Sequence, residues 1–260
     1  MVSIKTEEEL EYLKESNMLV SRTLAEVAGN IRPGVTTLEL DRIAEEFIRD
    51  QKGEPAFLGY KGFPNTLCTS VNSEVVHGIP SGYVLREGDI ISVDCGVKLN
   101  DYFGDSAFTF EVGQVDSDIR LLLQTTREAL FKGIEMATEG KRLGDIGYII
   151  QYHAEKAGYS VVREMVGHGL GKHLHEEPEV PNYGKKGTGL VLKSGMVFCL
   201  EPMINMGTKY IDQDPDGWTI RTRDNRPSAH FELAVAVGKK EPVMLSTFKL
   251  IDSVLQKNNK

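Results

Sequence analysis

The feature that most restricts how this chain can fold is a pattern it carries twice. Leu85-Arg86-Glu87-Gly88-Asp89-Ile90, running on to Val93-Asp94, is matched by Leu192-Lys193-Ser194-Gly195-Met196-Val197, running on to Leu200-Glu201. The spacing is 107 residues (Leu85 to Leu192), and the shared pattern is Leu, base, any, Gly, any, Ile or Val, any two, Val or Leu, acid. A second set, Gly34, Leu40, Ile43, Ala44 and Ile48, matches Gly140, Ile146, Ile149, Ile150 and Ala154 at a spacing of 106 (Gly34 to Gly140). One such pairing is what short apolar strands produce by chance. Two in register point to a duplicated half-domain. A pseudo-twofold fold brings Asp94 and Glu201 to equivalent places near one centre, each a carboxylate inside an apolar strand.

The order of elements is what a duplication requires. Thr6-Glu7-Glu8-Glu9 is a Thr-x-x-Glu capping box that opens a helix running towards Gly29. A second helix follows Gly34, with Leu40, Ile43, Ala44, Phe47 and Ile48 on one face and Gly53 as its stop. Strand-like runs fill 66–112, broken by Gly78-Ile79-Pro80 and Gly88-Asp89. Helical spacing returns over 116–140, a further helix spans about 145–157 and stops at Gly158, and strands resume at Val161 and run to Val237. The Lys-rich tail reads as frayed. The expectation is one α/β (α+β) domain over 1–260, built from halves at about 1–112 and 113–250.

Composition narrows the function. With 38 Asp+Glu against 30 Lys+Arg, the net charge of −8 argues against a broad nucleic-acid footprint, which needs clustered bases. Hydrophobic residues at 40% exclude bulk disorder. Residues 1–10 are polar and acidic, so no signal peptide is expected, and no run of about 18 apolar residues exists to span a membrane. Cys68, Cys95 and Cys199 form no C-x-x-C pair, which speaks against thiolate zinc sites and a disulfide framework and for a reduced, cytoplasmic compartment.

The remaining question is whether any of the surplus carboxylates is buried in a site. Asp94 and Asp105 flank the turn residues Leu99-Asn100-Asp101, so their runs read as a hairpin. A turn at Leu99-Asn100 sets the two acids directly opposite; a turn at Asn100-Asp101 sets them on a diagonal of the same face. Facing acids in apolar strands resist burial unless a proton or a cation compensates, and the bland alternative is a solvent-facing hairpin side. Val166-Gly167-His168-Gly169-Leu170-Gly171 surrounds one His with glycine, His175 follows seven residues later, Glu201 ends an apolar run, and Glu232 sits inside another. Asp, Asp, His, Glu and Glu together suit a pair of divalent cations such as Mn, Fe, Co or Zn, and such carboxylate-rich pairs favour hydrolysis.

Taken with Cys68-Thr69-Ser70-Val71-Asn72-Ser73-Glu74-Val75-Val76-His77-Gly78-Ile79-Pro80, Glu201-Pro202-Met203 and Phe231-Glu232, these motifs resemble the type I methionine aminopeptidases through nearly the whole chain. The resemblance implies the pita-bread fold, a pseudo-twofold α/β architecture with a central antiparallel sheet flanked by helices. It implies Asp94, Asp105, His168, Glu201 and Glu232 as metal ligands, with Asp105 and Glu232 bridging two divalent ions. His77 and His175 match histidines that contact the peptide near the scissile bond, and Tyr60, Phe63, Cys68 and Trp218 match the pocket for the methionine side chain. On that pattern the substrate amino group ligates one metal, a bridging hydroxide attacks the polarised carbonyl, Glu201 relays the proton and His175 or His77 stabilises the oxyanion.

The sequence also departs from the pattern. Leu233-Ala234 stand where the family usually has His-Thr, His230 where it has Gln, and Leu174 where it has an aromatic residue. His230 shares a strand face with Glu232, either as an extra nitrogen near the metals or as a hydrogen-bonding neighbour. The expected role is removal of the initiator methionine from nascent polypeptide N-termini with a small second residue, by a monomer. Any transient ribosome association would have to use the folded surface, since no polybasic tract is present. Prolidases and aminopeptidase P share the ligand pattern but usually carry a large N-terminal domain.

Overall fold

The computed structural model describes residues 2–258. Its first helix, α1 (Glu7–Ala28), starts where the capping box predicts: Glu9 N donates to Thr6 Oγ1, and Thr6 N donates to Glu9 Oε2 at 2.9 Å. Helix α2 (Thr37–Asp50) is capped by Thr36 and ends three residues before Gly53, with Lys52 rather than Gly53 taking the left-handed turn at φ 63°. Helix α3 (Ser117–Ile134) ends six residues, nearly two turns, before the limit that the apolar spacing suggested. Helix α4 (Leu143–Lys156) starts at Leu143 because Asp145 accepts from Arg142 N, capping the helix from inside its first turn.

The frayed tail is corrected. Residues Lys249–Asn258 form a helix, α5, that buries Ile251 and packs Val254 and Leu255 on the main core. Two bonds from Arg127 to the Asp252 carboxylate pin α5 to α3. The apolar positions of α5 recur at helical spacing, so its inner face pairs with the core while its lysines stay in water.

Between the helices lie antiparallel sheets. Strands Ile90–Leu99 and Tyr102–Glu111 form a long hairpin, with Leu67–Val71 and Glu54–Pro55 pairing along the far edge of Ile90–Leu99. In the C-terminal half, Val243–Met244, Leu233–Ala236, Val197–Leu200, Gly167–Gly169 and Glu176–Val180 make a five-stranded sheet in that order. Two three-stranded sheets complete the frame. One joins Ser228–His230, Met203–Asn205 and Ser160–Val161; the other joins Ile211–Gln213, Ile220–Thr222 and Glu74–Val76.

Besides the sheet that Glu74–Val76 and Ile220–Thr222 share, the two halves are joined next to the buried acids. Glu232 N donates to Ala107 O at 2.8 Å, Ala107 N donates to Glu232 O at 3.4 Å, and Ser106 Oγ donates to Glu232 O at 2.6 Å. Helix α1 lies across the hairpin beside this joint. Its Ser16 hydroxyl reaches the carbonyls of Leu99 and Tyr102, and Asn17 Oδ1 accepts from Asp105 N at 3.1 Å. The helix comes so near that a Cβ on Gly104 would stand 2.6 Å from the Ser16 backbone, so only glycine fits there. Leu13, Leu19, Val20, Leu24 and Val27 of α1 are wholly buried, each contributing roughly 1.5–3 kcal/mol.

Candidate metal centre and substrate cavity

The hairpin turn is Asn100-Asp101, both at positive φ (52° and 63°), as a two-residue type I′ turn demands. This selects the diagonal register. Asp94 faces Ala107, Asp105 faces Gly96, and both carboxylates stand on one side of the sheet. Cys68 is the cross-strand partner of Asp94 on its other flank, which brings the thiol to the same side. From the other half, the joint with Ala107 carries Glu232 to Asp105, and the strand Val197–Leu200 delivers Glu201.

His168 enters from the short strand Gly167–Gly169. Its Nδ1–H donates to the Gly169 carbonyl at 3.0 Å, which leaves the Nε2 lone pair directed at Asp105 Oδ2 (3.7 Å) and Glu201 Oε1 (3.6 Å). A lone pair facing carboxylate oxygens just beyond hydrogen-bond range is repulsive unless a positive charge lies between them. Asp94 Oδ1, Asp105 Oδ1 and Glu232 Oε1 are likewise buried with no hydrogen-bond partner. Buried polar atoms of native proteins are normally satisfied, so this convergence of orphaned oxygens fits divalent cations.

The titration behaviour agrees with that fit. Burial pushes the Asp94 carboxyl up to about 7. Asp105, Glu201 and Glu232 are raised well above the carboxylate range, by burial first and then by one another's charge. Without cations the cluster must therefore hold protons. Burial lowers His77 and His168, and it lowers His175 together with the charges of His168, Lys61 and His77, so each imidazole is neutral near pH 7.

These groups open onto one cavity of about 290 Å³, and all eleven residues expected from the sequence line it. Beyond the acids and His168, His77 stands at positive φ (60°), an uncommon conformation outside glycine, just past the strand end Glu74–Val76, and it lines the cavity. His175 stacks on Tyr60 and takes a 2.9 Å contact from the Tyr60 hydroxyl at Nδ1, keeping one edge exposed at the mouth. Phe63 and Trp218 meet edge to face with centroids 5.1 Å apart, and with Cys68 they wall an apolar end.

Some of the lining was not read from the sequence. Phe57, which packs in the same apolar cluster as Phe63, Cys68 and Trp218, lines the cavity, as do Met165 and the exposed Glu164. Met165 immediately precedes the Val166-Gly167-His168 motif, the one signal that could have drawn it in. Cys199 was also missed: its thiol lies within 4.8 Å of donor atoms of Asp105, His168 and Glu232. It sits two residues before Glu201, hence on the same strand face. Of the departures from the family pattern, Leu174 lines the cavity, while Leu233 and Ala234 pair with Leu200 and Cys199 inside the sheet.

The sequence model of metallopeptidase family M24 matches residues 11–239. The chain belongs to that family, on its methionine aminopeptidase branch. A methionine aminopeptidase of Clostridium acetobutylicum is 48% identical over 247 residues, covering 95% of this chain and 99% of that one. Methionine aminopeptidase 1 of Bacillus subtilis is 48% identical over 237 residues, covering 91% and 96%. The crystal structure of the methionine aminopeptidase from Rickettsia prowazekii superimposes with a TM-score of 0.94 at 42% identity, covering 95% of this chain and 100% of that one. The fold of this M24 chain is accordingly the pita-bread fold, a metallopeptidase frame that uses divalent metal.

Proposed function

We propose that the chain removes the initiator methionine from peptides whose second residue is small, with Asp94, Asp105, His168, Glu201 and Glu232 holding two divalent cations drawn from Mn, Fe, Co and Zn. The observation that carries this reading is the single cavity in which orphaned carboxylate oxygens meet an apolar, aromatic-edged end. When bound, the cations supply Lewis acidity and make a water nucleophilic at neutral pH.

The side chains do the rest. The apolar end formed by Phe63, Trp218, Tyr60 and Cys68 receives a flexible thioether side chain. With the Tyr60 hydroxyl donating to Nδ1, His175 carries its proton on Nε2 and offers it to the oxygen that becomes negative as the carbonyl is attacked. His77, held neutral at the other edge, is a second donor. Glu201 takes the proton from the attacking water and returns it to the leaving amine.

The same reading makes the chain one catalytic domain of two related halves, about 1–112 and 113–250. It acts as a monomer in the cytoplasm on nascent N-termini, and any transient ribosome association would use the folded surface. Among the described residues no helix is long and apolar enough to cross a membrane. Metal-reconstituted protein is expected to release methionine from Met-Ala-Ser and to leave Met-Lys-type and N-blocked peptides intact. Failure to release methionine from Met-Ala-Ser with any of the four metals would end the proposal.

A further inference from the structure

His230 does not line the cavity, yet its ring reaches the carboxylate cluster from behind. Its Nε2 lies 3.9 Å from Glu201 Oε2, while the other oxygen of the same carboxylate, Oε1, lies 3.6 Å from His168 Nε2. Two imidazoles thus address opposite oxygens of one glutamate. The His230 nitrogen is buried and has no hydrogen-bond partner, a costly condition for a ring N–H. Its backbone is fixed by the other half of the molecule: His230 N donates to Thr109 Oγ1 at 2.9 Å, Thr109 Oγ1 donates back to His230 O at 2.8 Å, and His230 pairs with Met203.

We propose that His230 is a positioning residue that donates its Nε2–H to Glu201 Oε2, and so holds Glu201 Oε1 on the His168 side of the centre. The inference rests on the reading that Glu201 and His168 hold a cation. An approach of about 1 Å brings the 3.9 Å separation to hydrogen-bond length, a movement within reach of a glutamate side chain. Donation satisfies the orphaned nitrogen and uses the lone pairs of Oε2 that Oε1 leaves free. Hydrogen bonds to a ligating carboxylate tune metal affinity by roughly 10–100-fold, which sets the scale of the expected effect.

The test is calorimetric titration of metal-free full-length protein with Co(II), alongside the visible absorption spectrum of the Co(II) form and the melting temperature of the metal-free form. His230→Leu and His230→Met are expected to weaken one Co(II) by roughly 10–100-fold and to alter its absorption bands, with the metal-free melting temperature little changed. His230→Gln, which keeps an N–H donor, is expected to restore affinity to within about fivefold of wild type. Wild-type affinity in either apolar variant that folds overturns the proposal. A His230→Gln variant as weak as His230→Leu, with an unchanged metal-free melting temperature, overturns the donor role. If wild-type protein takes up no Co(II), the metal-centre reading itself fails and this proposal goes with it.

Discussion

Lowering the pH from 8 to 6 is expected to loosen cations from this centre far more than screening or net charge could. Asp94 sits at about 7 because burial disfavours its ionised form. It is then about nine-tenths protonated at pH 6 and about one-tenth at pH 8. A cation must displace that proton, so Asp94 alone lowers the apparent affinity about tenfold over this range, about 1.4 kcal/mol. Asp105, Glu201 and Glu232, raised by burial and by one another, steepen the dependence.

The effect on stability runs the other way in the metal-free protein. An acid whose folded pKa lies above its ordinary value of 3.8 favours the fold while protonated, and that contribution is lost as pH rises towards 7. Metal-free protein should therefore lose stability from the cluster between pH 4 and 7, and the thermal shift on adding Mn(II) should grow from pH 6 to pH 8. The assay is calorimetric titration with Mn(II) at pH 6, 7 and 8, in pairs of buffers with different ionisation heats, which counts the protons released. An affinity constant within about twofold across this range, with no proton release, would refute the argument, because the carboxylates would then be ionised before the metal arrives.

His175→Ala is expected to lower kcat on Met-Ala-Ser by roughly 100–1,000-fold while KM and Co(II) stoichiometry stay near wild type; a kcat within about threefold would remove His175 as the oxyanion donor. Gly104→Ala places a methyl against the Ser16 backbone and is expected to cost about 1–3 kcal/mol, read from the midpoint of urea unfolding; an unshifted midpoint would show that α1 can move off the hairpin freely.

How far the sequence carried depended on what kind of physics each feature used. Thr6 and Glu9 formed the expected box because capping is local, complete within four residues. The Asp94–Asp105 face was legible because side-chain period 2 holds in either register, but the register itself turned on which two residues accept positive φ. Asn100 and Asp101 do so more readily than Leu99. The helix α5 was hidden because Lys249, Lys257 and Asn258 outweigh its few apolar positions when no partner is in view. Once α1 and α3 supply a surface, Phe248 and Ile251 become core. Cys199 carried no signal of a site, because a cysteine inside an apolar strand most often packs as a small hydrophobe. Its closeness to Glu232 depends on the partner strand Leu233–Ala236, fixed by sheet assembly rather than by local sequence.

The joint at Ala107 and Glu232 has a meaning for how the protein is made. Ser106 and the Glu232 carbonyl it touches are 126 residues apart in the chain. A ribosome delivers Asp94 and Asp105 long before their partners, and the hairpin alone holds two mutually repelling acids with nothing between them. Closing so long a loop is slow compared with forming a hairpin, so the centre is assembled late. The pairing is also unforgiving: a slip of one residue at this joint turns Glu232 to the opposite face, away from Asp105. Catalytic competence therefore certifies the whole tertiary structure, and a copy that folds out of register is inert rather than miscutting.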